Sequence, residues 1–210
     1  IALFLSLGSA AWSWEFAALL VPILLFHELG HLAAMRLFKY RNLKIFFIPL
    51  FGAAVTGRHY NVAGWKKAIV SLAGPVPGIA LGGALCIAAM YVDKELLKRA
   101  AILSLVLNAM NLLPILPLDG GWVAHTLFFS RRPWVDAAFR VVTAGLLLLT
   151  AWGMGDRILF GLGVLMAMGI PWAYRLARIA HRLRLEGVDA TPTTGDALPL
   201  DVTKRVISEV

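Results

Sequence analysis

Cysteine is almost absent from this 210-residue chain: Cys86 stands alone. A single thiol excludes an intrachain disulfide and a thiolate metal cluster, and inside an apolar run it reads as a small buried hydrophobe. Charge is scarce too. Charged residues make up 15% of the sequence and hydrophobic ones 60%, whereas a soluble domain carries about 25% and roughly 45–50%. Acidic residues are the scarcer sign, 12 against 20 Lys and Arg, for a net charge of +8. That surplus would suit nucleic acid if it formed one patch. Instead the basic residues sit just outside the apolar runs, in Arg36 to Lys44, Lys66–Lys67, Arg131–Arg132 and Arg175 to Arg184. Cations so placed set membrane topology and meet anionic headgroups, which argues against a nucleic-acid partner and for the lipid bilayer. The chain shows no internal repeat, and no basic segment precedes its first apolar stretch, so no cleavable signal peptide is expected. It opens at Ile1 rather than Met, as expected of a core taken from a longer protein.

What the sequence does have is a series of long apolar runs. They predict an all-α polytopic membrane protein with about six transmembrane helices, each needing roughly 20 apolar residues. Residues 1–11 are too short to cross and read as the end of a truncated first helix, closed by an interfacial Trp12-Ser13-Trp14-Glu15 boundary. Spans follow at 16–38, 68–92, 100–129, 135–154 and 158–174, with a charged loop at 93–99. The second of these carries Gly74-Pro75-Val76-Pro77-Gly78 and Gly82-Gly83, where glycines admit close neighbours and prolines interrupt the backbone ladder. Arg140 lies within the 135–154 span, which predicts a later helix start or a tilt that lets it snorkel. The connection 39–67 is too polar to span, and its short β-branched stretches at 44–49 and 53–56 predict a small hairpin. Residues 1–174 thus form one membrane-embedded domain, and 175–210 a basic interfacial helix and polar tail. With the amino terminus inside, the loop 39–67, Arg131–Arg132 and the tail share the cytoplasmic side of what is expected to be a prokaryotic plasma (inner) membrane.

Chemistry is concentrated in His27-Glu28-Leu29-Gly30-His31. Residues four apart share a helix face, so both imidazoles can address one zinc ion. Glu28, about 100° round the helix from His27, can hydrogen-bond a zinc-bound water without being a ligand, and accept its proton as it attacks a carbonyl. With five His and five Glu in the chain, such a motif arises by chance about 0.3% of the time. Two His and a Glu on one span are also costly unless they have a function. The motif lies roughly 7–8 Å from Arg36 along the helix, which puts it near the cytoplasmic face. A catalytic zinc needs a third protein ligand and one open position. Asp119 is the leading candidate, a carboxylate in a broken, proline- and glycine-flanked apolar segment; the competing reading is a cap at a helix restart. His59 and His125 are rival ligands, both more simply read as interface histidines.

The pairing of His27-Glu28-x-x-His31 with Asn111-x-x-Pro114-x-x-x-Leu118-Asp119-Gly120 resembles the site-2 protease family of intramembrane zinc metalloproteases (peptidase family M50), over 16–129, that family's three-helix core. The resemblance implies that Asp119 is the third zinc ligand and that Asn111 binds substrate near the metal, with Asn108 a weaker candidate for that role. It also implies cleavage of membrane-anchored proteins within or near their transmembrane segments. Ala73-Gly74-Pro75 resembles a further family element, usually completed by asparagine three residues after the proline, where this chain has Gly78; a polar contact from that helix is thereby put in question. The connection 39–67 is too short for an inserted PDZ-type domain. Two other functions fit less of the sequence: a metal-ion transporter would not need Glu28 and would be expected to show repeats, and a silent relative would be expected to have lost a ligand or the base.

Overall fold

The computed structural model describes residues 14–48, 52–58 and 62–187. The truncated first helix expected at 1–11, Trp12–Ser13, His59 and the tail from 188 onward lie outside the described residues. The chain divides into two compact units, one made of Ile1–Pro114 with Leu118–Val123 and the other of Ile115–Pro117 with Ala124–Val210.

The first unit is organised around helix α1, Trp14–Leu37. Among its buried positions, Ala17, Leu20, Ile23, His27, His31 and Ala34 recur every three or four residues, the spacing of one helix face, with Glu28 and Leu32 buried beside them. The helix stops at Lys39, which adopts the left-handed conformation (φ 61°). Tyr40 N–H then reaches back to Met35 O at 2.9 Å and Lys39 N–H to Arg36 O at 3.0 Å, a Schellman closure made without the usual glycine. The predicted hairpin follows as antiparallel strands β1 (Arg41–Ile48) and β2 (Gly52–Arg58), paired from Lys44↔Thr56 to Ile48↔Gly52. A bulge lies between Arg41 and Lys44, where Asn42 takes φ 52°. Strand β2 packs on α1.

Helix α2 (Gly64–Leu72) leads through a turn at Ala73-Gly74 into α3 (Pro75–Tyr91). Pro75, lacking an N–H, suits the first turn of a helix, so it begins α3 where it would have broken one long span. Helix α4, Glu95–Asn111, returns against α3. The charged loop expected at 93–99 is therefore shorter than the sequence suggested. Glu95 to Arg99 already belong to α4, because Lys98 pairs with Asp93 (2.6 Å) and Arg99 with Glu95 (3.1 Å) along that first turn and a half. The chain then leaves helical geometry through Pro114 and a cis Leu116–Pro117 bond, and re-enters a helix at α5, Asp119–Ala124. A Cβ at Gly120 would run into the carbonyl oxygens of Leu112 and Leu113, so glycine lets the start of α5 cross the end of α4.

The second unit contains a π-helical turn, His125–Phe129, and two long helices packed together, α6 (Pro133–Met154) and α7 (Arg157–Leu185). Gly155, at φ 68°, ends α6, and the Asp156 carboxylate accepts from Leu159 N–H at 3.0 Å to start α7. The basic segment after 174 continues α7 rather than starting a separate helix. Arg140 is paired within the second unit. It lies in the second turn of α6, where Nε donates to Asp136 at 2.9 Å, and Asp136 also accepts from His125 at 2.7 Å.

Among the described residues four helical stretches are long and apolar enough to cross a membrane: Glu15–Leu37, Gly64–Tyr91, Pro133–Met154 and Leu159–Leu183. Helix α4, at 17 residues with Glu95, Lys98 and Arg99 in its opening turns, falls short of that length by itself. The fold is a polytopic, all-helical membrane protein with one small two-stranded sheet.

Candidate metal centre

Helix α1 carries His27 and His31 one turn apart on its buried face, at 4% and 7% exposure. Each ring is held from behind through Nδ1. His31 Nδ1 lies 2.7 Å from the Val70 carbonyl oxygen of α2, and His27 Nδ1 lies 2.7 Å from Asn108 Oδ1 of α4. The amide orientation of Asn108 follows from its other end, where Nδ2 donates to Ser104 O at 2.7 Å, an atom that can only accept. Both partners of the imidazoles are therefore acceptors, and both Nδ1 atoms carry the proton. Each Nε2 is left with a bare lone pair.

Those two lone pairs face one another. His27 Nε2 and His31 Nε2 are 3.0 Å apart, and Asp119 Oδ2 is 3.1 Å from the first and 3.3 Å from the second. Three acceptors this close have no proton to share among neutral rings and a carboxylate. A proton added to one ring would satisfy a single pair, whereas a divalent cation satisfies all three atoms at once. The separations lie at or slightly below the edge of a zinc tetrahedron, roughly 3.3–3.6 Å for bonds of about 2.0–2.2 Å, so a small outward shift of the three side chains would seat an ion. His27, His31 and Asp119 are accordingly the set among the described residues able to hold a metal ion.

Backbone shape makes the convergence possible. A Cβ on Gly30 would collide with the Ala73 carbonyl, and a Cβ on Gly74 would enter the ring of His31 itself, so the α2–α3 turn lies flush against α1 beside His31. Gly120, next to Asp119, lets the carboxylate come in over the end of α4. Glu28 is buried at 6% exposure and accepts a hydrogen bond from the Val55 backbone amide of β2. The hairpin thereby touches the residue beside the first histidine, a link the sequence did not reveal.

The remaining expected residues have other partners. Asn111 is half-buried at the end of α4, and its Nδ2 donates to Leu107 O at 3.1 Å. Asn108, expected as the weaker substrate-contacting asparagine, is fully buried with both ends of its amide engaged by His27 and Ser104. The sequence carried one sign of this, since Ser104 and Asn108 are polar residues four apart in an apolar helix. His125 is bonded to Asp136 within the second unit.

Comparison with known proteins agrees with this architecture. The sequence matches peptidase family M50 over residues 15–95 and 91–151. Stage IV sporulation protein FB of Bacillus subtilis is 32% identical over 120 residues, 56% of this chain and 42% of that protein. A zinc metalloprotease of Methanocaldococcus jannaschii is 28% identical over 129 residues, 59% of this chain and 37% of that one. The alignments thus span less than half the length of either curated relative. The solved site-2 protease from Methanocaldococcus jannaschii shares the fold, with a TM-score of 0.55 at 22% identity over 77% of this chain and 78% of that structure. With the family match extending over most of the sequence, the chain belongs to peptidase family M50.

Proposed function

We propose that the chain is an intramembrane zinc metalloprotease that hydrolyses peptide bonds within or near the transmembrane segments of membrane-anchored substrates. The observation that carries this reading is the convergence of three proton-free acceptors, His27 Nε2, His31 Nε2 and Asp119 Oδ2, at a buried face of a helix apolar enough to cross a membrane. In this reading His27, His31 and Asp119 hold the ion and leave one position for the reaction. Bound there, zinc supplies Lewis acidity, bringing a water's pKa to about 7 and polarising the scissile carbonyl. Glu28 takes the proton of the attacking water and delivers it to the leaving amine, and the Val55 amide fixes its carboxylate for that task. Asn111 binds the substrate backbone beside the centre. A helical substrate must be unwound before its carbonyl is accessible, and the β1–β2 hairpin against α1 offers a strand edge for the extended segment.

Co-expression with tagged single-span membrane proteins tests the proposal. Cleaved fragments should accumulate with the native chain and disappear with Glu28→Gln, while purified Glu28→Gln protein keeps its zinc by elemental analysis. Loss of zinc together with activity would show that Glu28 is a ligand and not the base.

A further inference from the structure

We infer that Asn108 is a positioning residue for the metal centre and that Gly78 is the gap in α3 that admits it; this rests on the reading of His27 as a metal ligand. Asn108 and Ser104 are both wholly buried, one turn apart on α4, and both face α3. Ser104 Oγ donates to Gly78 O at 2.9 Å, tying the two helices together at that level. A Cβ built on Gly78 overlaps all three terminal atoms of the Asn108 amide, Oδ1, Nδ2 and Cγ. No residue larger than glycine can therefore stand at 78 while Asn108 keeps its place.

The amide does a specific job in that gap. Its Nδ2 is anchored on Ser104 O, so its Oδ1 is presented to His27 Nδ1 at 2.7 Å with a fixed orientation. An acceptor in that position selects the Nδ1–H tautomer of His27, turns Nε2 toward His31 and Asp119, and sets the ring's rotation. His31 receives the same service from a backbone carbonyl, Val70 O, which substitution cannot remove. Asn108 is thus the one side chain that sets a histidine's tautomer in this centre, among the described residues. Because the position of a Cβ at 78 coincides with the Asn108 amide, an asparagine rooted at 78 would start within one side chain's reach of His27 Nδ1 once residue 108 is trimmed. The pair should therefore be exchangeable: the amide can come from either helix, but not from both.

The test uses the whole chain in detergent micelles, with zinc affinity measured by competition against a chelator. Asn108→Leu should weaken zinc binding about 10–100-fold, the usual effect of losing a ligand's orienting partner. Gly78→Asn alone should also weaken it, and Gly78→Asn with Asn108→Ala should bring it back to within about threefold of the native value, a rescue that a purely space-filling role for Asn108 would not give. Affinity unchanged in Asn108→Leu, or a double variant no better than the singles, overturns the inference. A native-chain measurement stands apart from variant folding: the ring ¹⁵N shifts of His27 in metal-free protein should report the Nδ1–H tautomer, and an Nε2–H tautomer overturns it. His27→Ala serves as the separate control. If that change leaves zinc affinity intact, the metal-centre reading itself fails; if it abolishes binding while Asn108→Leu does not, only the positioning role fails.

Discussion

At the scale of single residues, Asp119 shows how one carboxylate joins stretches of sequence almost ninety positions apart. It sits at the first position of α5, and its Oδ2 is 3.1 Å and 3.3 Å from the two imidazoles. Left without a cation, a largely buried carboxylate facing two ring lone pairs would be costly, and coordination removes that cost. Asp119→Ala is therefore expected to lower zinc occupancy well below one per chain and to abolish proteolysis. His125→Ala, which removes a partner of Asp136 instead, should leave zinc bound; elemental analysis of the two purified variants separates the rival ligands. Much of this centre was legible beforehand, because His-x-x-x-His spacing on a helix and a carboxylate in a broken apolar segment are local signals. Asn108 was not legible in the same way. Its partner His27 is 81 positions away, and the space it fills exists because residue 78 has no side chain. The side-chain contact from α3 that Gly78 put in question is not made at that position, and the polar group comes from α4.

At the scale of elements, the sequence located the apolar runs but not how their charges are accommodated. Arg140 read as a side chain reaching for headgroups because its partners are invisible in a hydropathy pattern. One of them, His125, lies fifteen residues earlier on the π-helical turn. In the structure Asp136, at 5% exposure, accepts from Arg140 Nε and His125, while Phe129 stacks on Phe139 at 4.3 Å beside them. This cluster fastens the π-helical turn to the first turns of α6. Removing one member leaves a poorly solvated cation behind, whereas removing a charged pair does not. Asp136→Leu is thus expected to destabilise the protein by about 3 kcal/mol, and Asp136→Leu with Arg140→Leu to recover most of it. Denaturant unfolding in mixed micelles, followed by far-UV circular dichroism, measures both. Equal losses in the single and double variants would show that the cluster's packing and not its charge pairing holds the turn. The helix boundary at Glu95 was missed for a related reason: i,i+4 charge pairs stabilise a helical turn that composition alone assigns to a loop.

At the scale of the whole molecule, the distribution of cations sets which side faces the cytoplasm. Lys39, Arg41, Lys44, Arg58, Lys66 and Lys67 lie between α1 and α3, Arg131 and Arg132 precede α6, and Arg175, Arg178, Arg182 and Arg184 occupy the end of α7. Counting the five apolar runs of the sequence, 16–38, 68–92, 100–129, 135–154 and 158–174, as alternate spans puts all three groups on one side. The opposite connections hold Lys94, Lys98, Arg99 and Arg157. There the structure provides local acids as well: Asp93 binds Lys98 at 2.6 Å, Glu95 binds Arg99 at 3.1 Å, and Glu15 lies 3.7 Å from Arg99. Orientation follows the excess of Lys and Arg in short loops near span ends, so the richer side is expected to be cytoplasmic. His31, five residues before Arg36 on α1, then lies within roughly 8 Å of that boundary along the helix axis, and the candidate metal centre is expected to open toward the cytoplasm. Single cysteines introduced after Cys86→Ser make this measurable in intact cells. Cysteines at Asn42 and Arg178 should react with a membrane-impermeant maleimide only after the cells are opened, and one at Lys94 should react from outside. Labelling at position 42 from outside intact cells would reverse the orientation and place the centre at the opposite face.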